Sequence, residues 1–385
     1  MYHGIATFSL DYGKCPSWLF ERMVKLSREI VRVMVIEYGP KEFIKRIADP
    51  VWFQSLGTVL AFDWNSSGLT TILTAALKEA IQDQAKELGI FICGGKGKTS
   101  RKTPQEIEKW GEVFNLDVSK TNNLVYSSKI TAKIDSALVQ DGFQIYHHSF
   151  FFAQPETWAV VQQGMNIATQ TARRYHWFSE DIKDFVCEPH SGIISEIKNP
   201  TLNLVAQESA KVRILNAELI KTGYRSLMKD IQLLKKHCSA IHKMLRIKIA
   251  NKNLTLLKLE NIEFKHHPVE LENFFQSRYL EKILWKLCEE KPENYEKILA
   301  VSGVGPKTIK ALALVSEIIY GAEPSYKDPA RYSFAHGGKD ATPHPINRQV
   351  YDQTIEIMKN LVRKMKIDFS EKHLIEEKLK FNGLI

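Results

Sequence analysis

The sequence has no uninterrupted apolar run of about 18 residues, the length that a helix needs to cross the apolar part of a bilayer. Its first residues, Met1 to Leu10, also lack the basic start and apolar stretch of a secretory signal peptide. These two absences argue against a membrane-spanning or exported protein. We therefore expect a soluble protein that works in the cytoplasm.

Cysteine is scarce as well, and its five copies are widely spaced, with no CxxC pair among them. This pattern argues against a disulfide framework and against a structural zinc site. Buried free thiols are the expected state of all five cysteines, which are Cys15, Cys93, Cys187, Cys238 and Cys288.

Positive charge, in contrast, is in excess. The chain carries 53 Lys and Arg residues against 44 Asp and Glu residues, which gives a net charge of +9. Such a balance is compatible with an anionic partner such as nucleic acid, although a merely basic surface would give the same count. The 385 residues are enough for two domains.

The first half of the chain has the spacing of both helices and strands. Helices are expected from Pro16 to about residue 88, because apolar residues recur there at helical spacing. Aromatic and β-branched runs predict strands at 90–93, 144–152 and 158–162, the last two forming a hairpin. A further helix is expected over 128–140. The first half is therefore predicted to be mixed α and β.

Beyond Asn203 the apolar spacing is almost wholly that of amphipathic helices. A boundary is expected at Lys198-Asn199-Pro200. The sequence thus predicts an α+β protein, with a mixed α/β domain over 1–200 that carries any catalytic groups and an all-α domain over 201–385.

The segment Ala300 to Thr308 reads A-V-S-G-V-G-P-K-T and lies between two predicted helices. Glycines allow a tight turn that approaches a phosphate closely, and a proline fits the first position of a helix whose free N–H groups attract anions. The segment resembles the helix-hairpin-helix of DNA repair and replication proteins. That resemblance implies DNA-backbone binding by Gly303, Gly305, Lys307, Thr308 and Lys310, whereas a simple packing corner is the alternative.

Lys307 also has a possible chemical role. In helix-hairpin-helix glycosylases with lyase activity, a lysine at this position attacks the sugar as a desolvated amine, assisted by an aspartate. The segment 344–350 resembles that family's V-D-x-x-V motif, but Asn347 stands where the aspartate is expected, and Asp340 and Asp352 are the nearest carboxylates. Flap endonucleases carry a similar lysine in a hairpin that only binds.

Two further basic segments suggest nucleic-acid contacts. Lys96, Lys98 and Arg101 belong to a glycine-rich stretch that follows a predicted strand, where backbone N–H groups and cations can surround a phosphate. Its spacing is not that of a Walker loop. Arg173 and Arg174 are interleaved with aromatic residues, which suits either nucleic-acid contact or an ordinary helix edge.

Polar residues also crowd the middle of the first half. Asp135 and Asp141 precede a strand that carries His147 and His148, and the predicted hairpin brings one histidine near Gln162 or Gln163. Carboxylates and a histidine can hold Mg²⁺ or Mn²⁺, here through Asp135 and Asp141, or supply a general base for phosphodiester hydrolysis. Lys129 and Lys133, four residues apart on one helix face, would stabilise the developing charge. Satisfied structural groups are the alternative, and no known nuclease motif matches.

Over nearly its full length the chain resembles the domain-of-unknown-function family 763 (DUF763). The stretches that carry the resemblance are P-S-W-L-F-E-R-M-V (16–24), F-D-W-N-S-S-G (62–68), G-G-K-G-K-T-S-R-K-T-P (94–104), Q-D-G-F-Q-I-Y-H-H (140–148), A-V-V-Q-Q-G-M-N (159–166), A-R-R-Y-H-W (172–177) and D-P-A-R-Y-S-F-A-H-G-G-K-D (328–340). The resemblance implies that both halves form one unit and says little about mechanism.

Three functions fit these observations. A DNA-processing nuclease is narrowly favoured, because the polar crowding in the first half exceeds what packing requires. A glycosylase or lyase that uses Lys307 and a non-catalytic DNA-binding protein are the alternatives. DNA is the expected partner in all three, and the sequence leaves the oligomeric state open.

Overall fold

The structure is a computed structural model. It describes residues 15–60, 67–153, 157–195, 198–238 and 278–330, the backbone of 246–249 and 252–255, and short pieces between 356 and 377.

Five helices form the first layer of the fold. Proline and glycine separate the first three, and the Asp49 side chain accepts hydrogen bonds from the N–H groups of Val51 and Trp52 at the start of the third. The breaks predicted at Gly39-Pro40 and Asp49-Pro50 are therefore confirmed. The helices are α1 (Ser17–Tyr38), α2 (Pro40–Ala48), α3 (Pro50–Val59), α4 (Gly68–Ile81) and α5 (Ala85–Leu88).

The centre of the molecule is a five-stranded antiparallel sheet in the order β1-β3-β4-β5-β6. Two small pairs, β2 with β7 and β8 with β9, lie outside it. The strands are β1 (Ile90–Lys96), β2 (Val139–Gln140), β3 (Gln144–Ala153), β4 (Thr157–Asn166), β5 (Thr171–Phe178), β6 (His190–Ser195), β7 (Leu202–Asn203), β8 (Arg246–Ile249) and β9 (Lys252–Thr255).

The remaining helices pack on the opposite face of the sheet. Alternation along the strands sends Phe151 and Val161 into the α1–α4 layer, and Phe150 and Trp177 into this second layer. Its helices are α6 (Thr103–Val113), α7 (Val118–Ala137), α8 (Ala210–Lys221), α9 (Tyr224–Cys238), α10 (Arg278–Glu290), α11 (Tyr295–Ala300) and α12 (Pro306–Ile318).

The apolar core does not divide at residue 200. The cluster around α7 and the sheet continues into α8 to α12, and Leu361, Val362 and Met365 join the cluster formed by α1 to α4. The mixed α and β fold class is confirmed by these elements. A separate all-α domain is not evident in the core, and the division at residue 200 stays a prediction.

Several local predictions need correction. The segment containing Arg173 and Arg174 is the buried strand β5 rather than a helix edge, and β6 was missed altogether. Helix α7 begins at Val118, ten residues before the predicted start at 128. The strands β8 and β9 interrupt a region that was expected to be helical.

The cysteine prediction is confirmed for Cys93 and Cys288, which are buried free thiols. Cys15 and Cys187 are also free but only half-buried, and the side chain of Cys238 lies outside the described residues. Within those residues, no helix combines the length and apolarity required to cross a membrane.

Gly94, in β1, provides a test of the sheet edge. Its φ is +87°, and an added Cβ would overlap the backbone oxygen of His148 and the hydroxyl of Thr103. We expect Gly94→Ala to lower the free energy of unfolding by about 3 kcal/mol, because left-handed strain adds to overpacking. Urea titration followed by circular dichroism measures this.

The matched control is Gly97→Ala. Gly97 also has a positive φ, +61°, but nothing lies within 4 Å of its added Cβ. Its loss should therefore be about 1 kcal/mol. Equal losses in the two variants would contradict the crowding at Gly94.

Candidate functional site

The two neighbouring histidines lie on opposite faces of the sheet. His147 is opposite Gln163 of β4, and His148 is opposite Gln162. The predicted proximity of histidines and glutamines is therefore confirmed. It produces two separate polar groups rather than one site.

His147 faces the α1–α4 layer and is fully buried. Its Nε2 lies 3.1 Å from the hydroxyl of Thr74 and 3.1 Å from that of Ser149. On the same face, Gln163 donates to the backbone oxygen of Ser67 at 2.8 Å and to the hydroxyl of Tyr146 at 2.5 Å. Burial lowers the pKa of His147 to about 3, so the ring is neutral at physiological pH.

Arg174 lies on this face too, and it is also fully buried. Its guanidinium donates to the Thr70 hydroxyl at 3.2 Å and to the Gln54 side-chain oxygen at 2.9 Å, and it lies 4.7 Å from the ring centre of Phe53. Burial lowers the pKa of Arg174 to about 9. The predicted nucleic-acid contact by Arg174 is wrong for this structure, because no solvent reaches the side chain.

Asp135, on α7, is the centre of the polar group on the opposite face. Its carboxylate accepts hydrogen bonds from Gln162 at 2.5 Å and Trp177 at 3.0 Å, and it lies 2.5 Å from Nε2 of His190. His148, on the same face, lies 2.9 Å from the Ser128 hydroxyl, and burial lowers the pKa of its ring. Three protein groups thus surround a carboxylate that has no exposed surface.

Asp141 belongs to a different group, which is built around Arg173. The Arg173 guanidinium donates to Asp141 at 2.8 Å and to Asp328 at 2.7 Å. Tyr175 donates to the same Asp141 oxygen at 2.6 Å. Burial raises the pKa of Asp141, and Arg173 and Tyr175 oppose that rise. Arg173 is fully buried, so its predicted contact with nucleic acid is also wrong; it holds two carboxylates together inside the protein.

The carboxylates do not fit the Mg²⁺ or Mn²⁺ site that the sequence suggested. Both oxygens of Asp135 accept from protein donors or face His190, and both oxygens of Asp141 accept from Arg173, Tyr175 or the Phe143 N–H. Within the described part of the chain, no group of three or more His, Cys, Asp or Glu side chains is arranged to hold a metal ion.

The two lysines of α7 have different surroundings. Lys129 is exposed, whereas the half-buried Lys133 donates to the backbone oxygen of Val304, in the turn between α11 and α12. Burial lowers the pKa of Lys133. The structure therefore does not bring Lys129, Asp135, Asp141 and a histidine into one cleft, and Lys133 supports the turn instead.

In this turn, residues 301–305, three carbonyl groups accept hydrogen bonds from side chains. Lys286 donates to the Ser302 oxygen at 3.2 Å, and the Tyr279 hydroxyl donates to the Gly303 oxygen at 3.2 Å. Gln140 donates to the oxygen of Pro306 at 3.0 Å, and Lys133 reaches Val304. Because C=O and N–H point in opposite directions across a trans peptide, the next N–H groups point away from these donors.

The side chains of the turn divide into anchors and exposed groups. Val304 is 1% exposed, and the φ of Gly303, +97°, suits glycine. Nothing lies within 4 Å of a Cβ added at Gly305, and within the described residues its N–H donates no hydrogen bond. Lys307 is exposed and Lys310 is half-buried. Thr308 is buried, so its hydroxyl does not make the predicted surface contact.

The glycine-rich basic segment that follows β1 forms a short 3₁₀ turn over Gly97–Lys102. The predicted cations Lys96, Lys98 and Arg101 are all exposed. Glu106 fixes the entrance to this turn, because its carboxylate accepts from the Gly94 N–H at 2.7 Å and lies 2.6 Å from Lys78 Nζ. The segment is thus a rigid, solvent-facing group of positive charges.

The basic turn and the turn after α11 lie towards the same end of the sheet. Lys96 is opposite His147, and β3 is entered from the segment after Gln140, which contacts Pro306. The seven residues from 140 to 147 span at most about 25 Å. When the widths of the Lys96–His147 and Gln140–Pro306 contacts are added, Lys96 lies within about 35 Å of Pro306. This length is about one turn of a DNA duplex.

Sequence reasoning missed several groups that the fold brings to these positions. Trp177, His190 and Asp328 complete the buried polar groups, and Tyr279 and Lys286 support the turn. Asp328 is the first residue of the stretch 328–340 that carries the family resemblance, but nothing in its local sequence pattern indicated contact with Arg173. A cleft of about 700 Å³ beside α8 was also missed; its lining includes Asp184, Cys187, Ile214, Glu218 and Glu296.

Comparison with known proteins gives one match. The family model described as "Protein of unknown function (DUF763)" matches residues 4–346, nearly the whole chain. Searches of curated proteins and of solved structures gave no match.

The Arg173 group predicts a large loss of stability on substitution. Arg173→Met should lower the free energy of unfolding by about 3–5 kcal/mol, because it removes the cation that two buried carboxylates share. Urea titration at neutral pH measures the change.

The control is Lys327→Ala, next to Asp328. The Lys327 side chain is 83% exposed and its partner Glu208 is 56% exposed. Removal of this surface pair should change stability by less than about 0.5 kcal/mol. An Arg173→Met protein as stable as the wild type would rule out the proposed importance of the shared cation.

The buried histidines predict acid instability. Burial lowers the pKa of His147, His148 and His176 below the value of about 6.5 expected in the unfolded chain. Below pH 6.5 the unfolded chain therefore binds more protons than the native protein. The stability that the neutral rings provide is complete above pH 6.5 and falls below it, by at most about 1.4 kcal/mol per pH unit for each ring, until the pH reaches the pKa of that ring in the native protein.

Urea titrations at pH 7, 6 and 5 measure this slope. His176→Asn is the informative variant, because an asparagine amide can still donate to the Ile47 carbonyl that the histidine contacts at 3.2 Å. Its slope should be shallower than that of the wild type. An unchanged slope would mean that His176 does not resist protonation in the native state.

Proposed function

We propose that this chain, which belongs to the DUF763 family of proteins of unknown function, binds DNA. The contact is to the phosphate backbone, chiefly through the turn at residues 301–305. The observation that carries the proposal is the orientation of that turn. Lys286, Tyr279 and Lys133 donate to the carbonyl oxygens of residues 302, 303 and 304, and Gln140 donates to that of Pro306 at the start of α12.

This orientation has a direct electrostatic consequence. These side-chain donors neutralise the negative ends of the peptide dipoles, while the N–H of Gly305 points away from Lys133 at the start of the 13-residue helix α12. Free N–H groups at such a position favour a phosphate oxygen. The absence of a side chain at Gly305 lets that oxygen approach the backbone.

Charge around the turn supports the same conclusion. Lys307 follows the turn and is exposed, and Lys96, Lys98 and Arg101 are exposed within about one duplex turn of it. The chain as a whole has a net charge of +9. Two separated groups of cations can contact phosphates on successive parts of a duplex.

Phosphodiester hydrolysis is a second candidate. The observation in its favour is the distance of 2.5 Å between Asp135 and Nε2 of His190, since a carboxylate that orients a histidine is a common feature of general-base catalysis. The His190 side chain is only 7% exposed. Hydrolysis by this pair therefore requires that the substrate reach His190 at the start of β6. DNA binding without hydrolysis does not require access to this buried position.

Glycosylase chemistry at Lys307 receives less support. A lysine that forms a Schiff base is activated by desolvation or by a neighbouring cation, and Lys307 is exposed. The segment with Asn347, Asp340 and Asp352 lies outside the described residues. A backbone contact is the role that suits an exposed lysine beside an open turn.

The turn can be tested with Gly305→Glu and Lys307→Ala. The first places a carboxylate beside the position proposed for the phosphate, and nothing lies within 4 Å of the added Cβ. It should weaken duplex binding at least tenfold. Lys307→Ala should weaken binding and reduce the slope of log K against log salt by about 1, because one phosphate contact is lost. Fluorescence anisotropy with a labelled duplex at several salt concentrations measures both effects.

Lys86→Ala is the matched control. Lys86 is exposed on α5, which leads into the first residue of β1. Lys96 is the last residue of that strand, so the two lysines lie near its two different ends. Its removal should leave affinity and salt slope unchanged. If Gly305→Glu binds duplex DNA as tightly as the Lys86 variant, the turn is not the contact surface.

A further inference from the structure

Helix α10 presents an unusual solvent-facing surface beside the turn. Two large aromatic residues are exposed on it: Tyr279 at 59% and Trp285 at 52%. Arg278 and Lys282, close to these rings on the same helix, are exposed cations. The opposite side of the helix is buried through Leu280, Ile283, Leu284, Leu287 and Cys288, so core packing does not account for the exposed rings.

The helical spacing places these side chains on one face. At about 100° per residue, Arg278 and Lys282 lie about 40° apart, with Trp285 on one side of them and Tyr279 on the other. The whole face covers about 120° of the helix. Along the axis the two aromatic residues are about 9 Å apart, because each residue contributes about 1.5 Å. Lys282 thus lies between the two aromatic residues along the helix, and Arg278 lies just before Tyr279.

This face is directly connected to the turn. The Tyr279 hydroxyl donates to the Gly303 oxygen, and Lys286, one helical turn beyond Lys282, donates to the Ser302 oxygen. The exposed face of α10 and the turn are therefore neighbouring parts of the protein. Glu289 and Glu290 lie at the end of the helix, which limits the basic part of the surface to its first two turns.

We propose that this face of α10 binds single-stranded DNA, with unpaired bases stacked on Trp285 and Tyr279 and phosphates beside Arg278 and Lys282. The inference rests on the proposed function and adds a substrate class to it: a duplex that continues into a single strand. The chemistry is that of other single-strand surfaces, in which aromatic rings accept bases of any sequence and cations contact the backbone between them. A blunt duplex offers no base faces except at its ends.

The test compares three labelled DNAs in anisotropy titrations: a blunt duplex, the same duplex with a thymidine tail, and the duplex with a uridine RNA tail. The wild type should bind the DNA-tailed duplex more tightly than the blunt one. Trp285→Ala should weaken binding of the tailed duplex by about five- to a hundredfold, the range for loss of one stacked base. Its affinity for the blunt duplex should stay at the wild-type value, and Trp285→Phe should restore most of the loss.

Trp18→Ala is the matched control. Trp18, on α1, is 59% exposed and lies next to a cation, since the Arg22 guanidinium is 5.5 Å from its ring centre. It belongs to the layer on the other face of the sheet. Its removal should change neither affinity. Thermal unfolding of all variants checks that each one is folded.

The outcomes distinguish the two proposals. If the blunt duplex binds and Trp285→Ala has no selective effect on the tailed DNA, the role of α10 is overturned while DNA binding by the turn stands. Equal weakening of blunt and tailed DNA, or tighter binding of the RNA tail, also overturns it. If the wild type binds none of the three, both proposals fail.

Discussion

Buried polar groups on both faces of one sheet are the constraint on which this structure depends. A fully buried arginine, imidazole or carboxylate must find a protein partner, because transfer from water without one costs several kcal/mol. Strand β5 places Arg173 and Arg174 on opposite faces, and each face supplies its own acceptors. The acceptors come from Gln54 of α3, Thr70 of α4, Asp141 and Asp328.

The same constraint explains why Asp135 and Asp141 do not line an open cleft. The carboxylate of Asp135 is the buried partner of Gln162, Trp177 and His190. The carboxylate of Asp141 accepts hydrogen bonds from Arg173 and Tyr175. Exposed charge is found instead at Lys96, Lys98, Arg101 and Lys307. Surfaces that recognise an anion through backbone and flexible cations need no buried catalytic group.

Local signals predicted those parts of the fold that depend on neighbouring residues. Gly39-Pro40 and Asp49-Pro50 mark helix breaks through backbone geometry, and the β3–β4 hairpin follows from its aromatic runs. Arg173 was misjudged because interleaved charges and aromatics suggest a surface. Its true partners, Asp141 and Asp328, are brought in by tertiary structure. Of the candidate site, the turn was visible in sequence, whereas its donors Lys133, Tyr279 and Lys286 were not.

The pairing of Arg173 with Asp328 joins residues 155 positions apart, and this has a consequence for synthesis on the ribosome. All five strands of the central sheet have been translated by Ser195. At about 5–20 residues per second, the aspartate emerges on the order of ten seconds later. During that interval β5 carries an arginine that still lacks one of its two carboxylates. The sheet therefore gains its full set of buried ion pairs only after residue 328 has been translated.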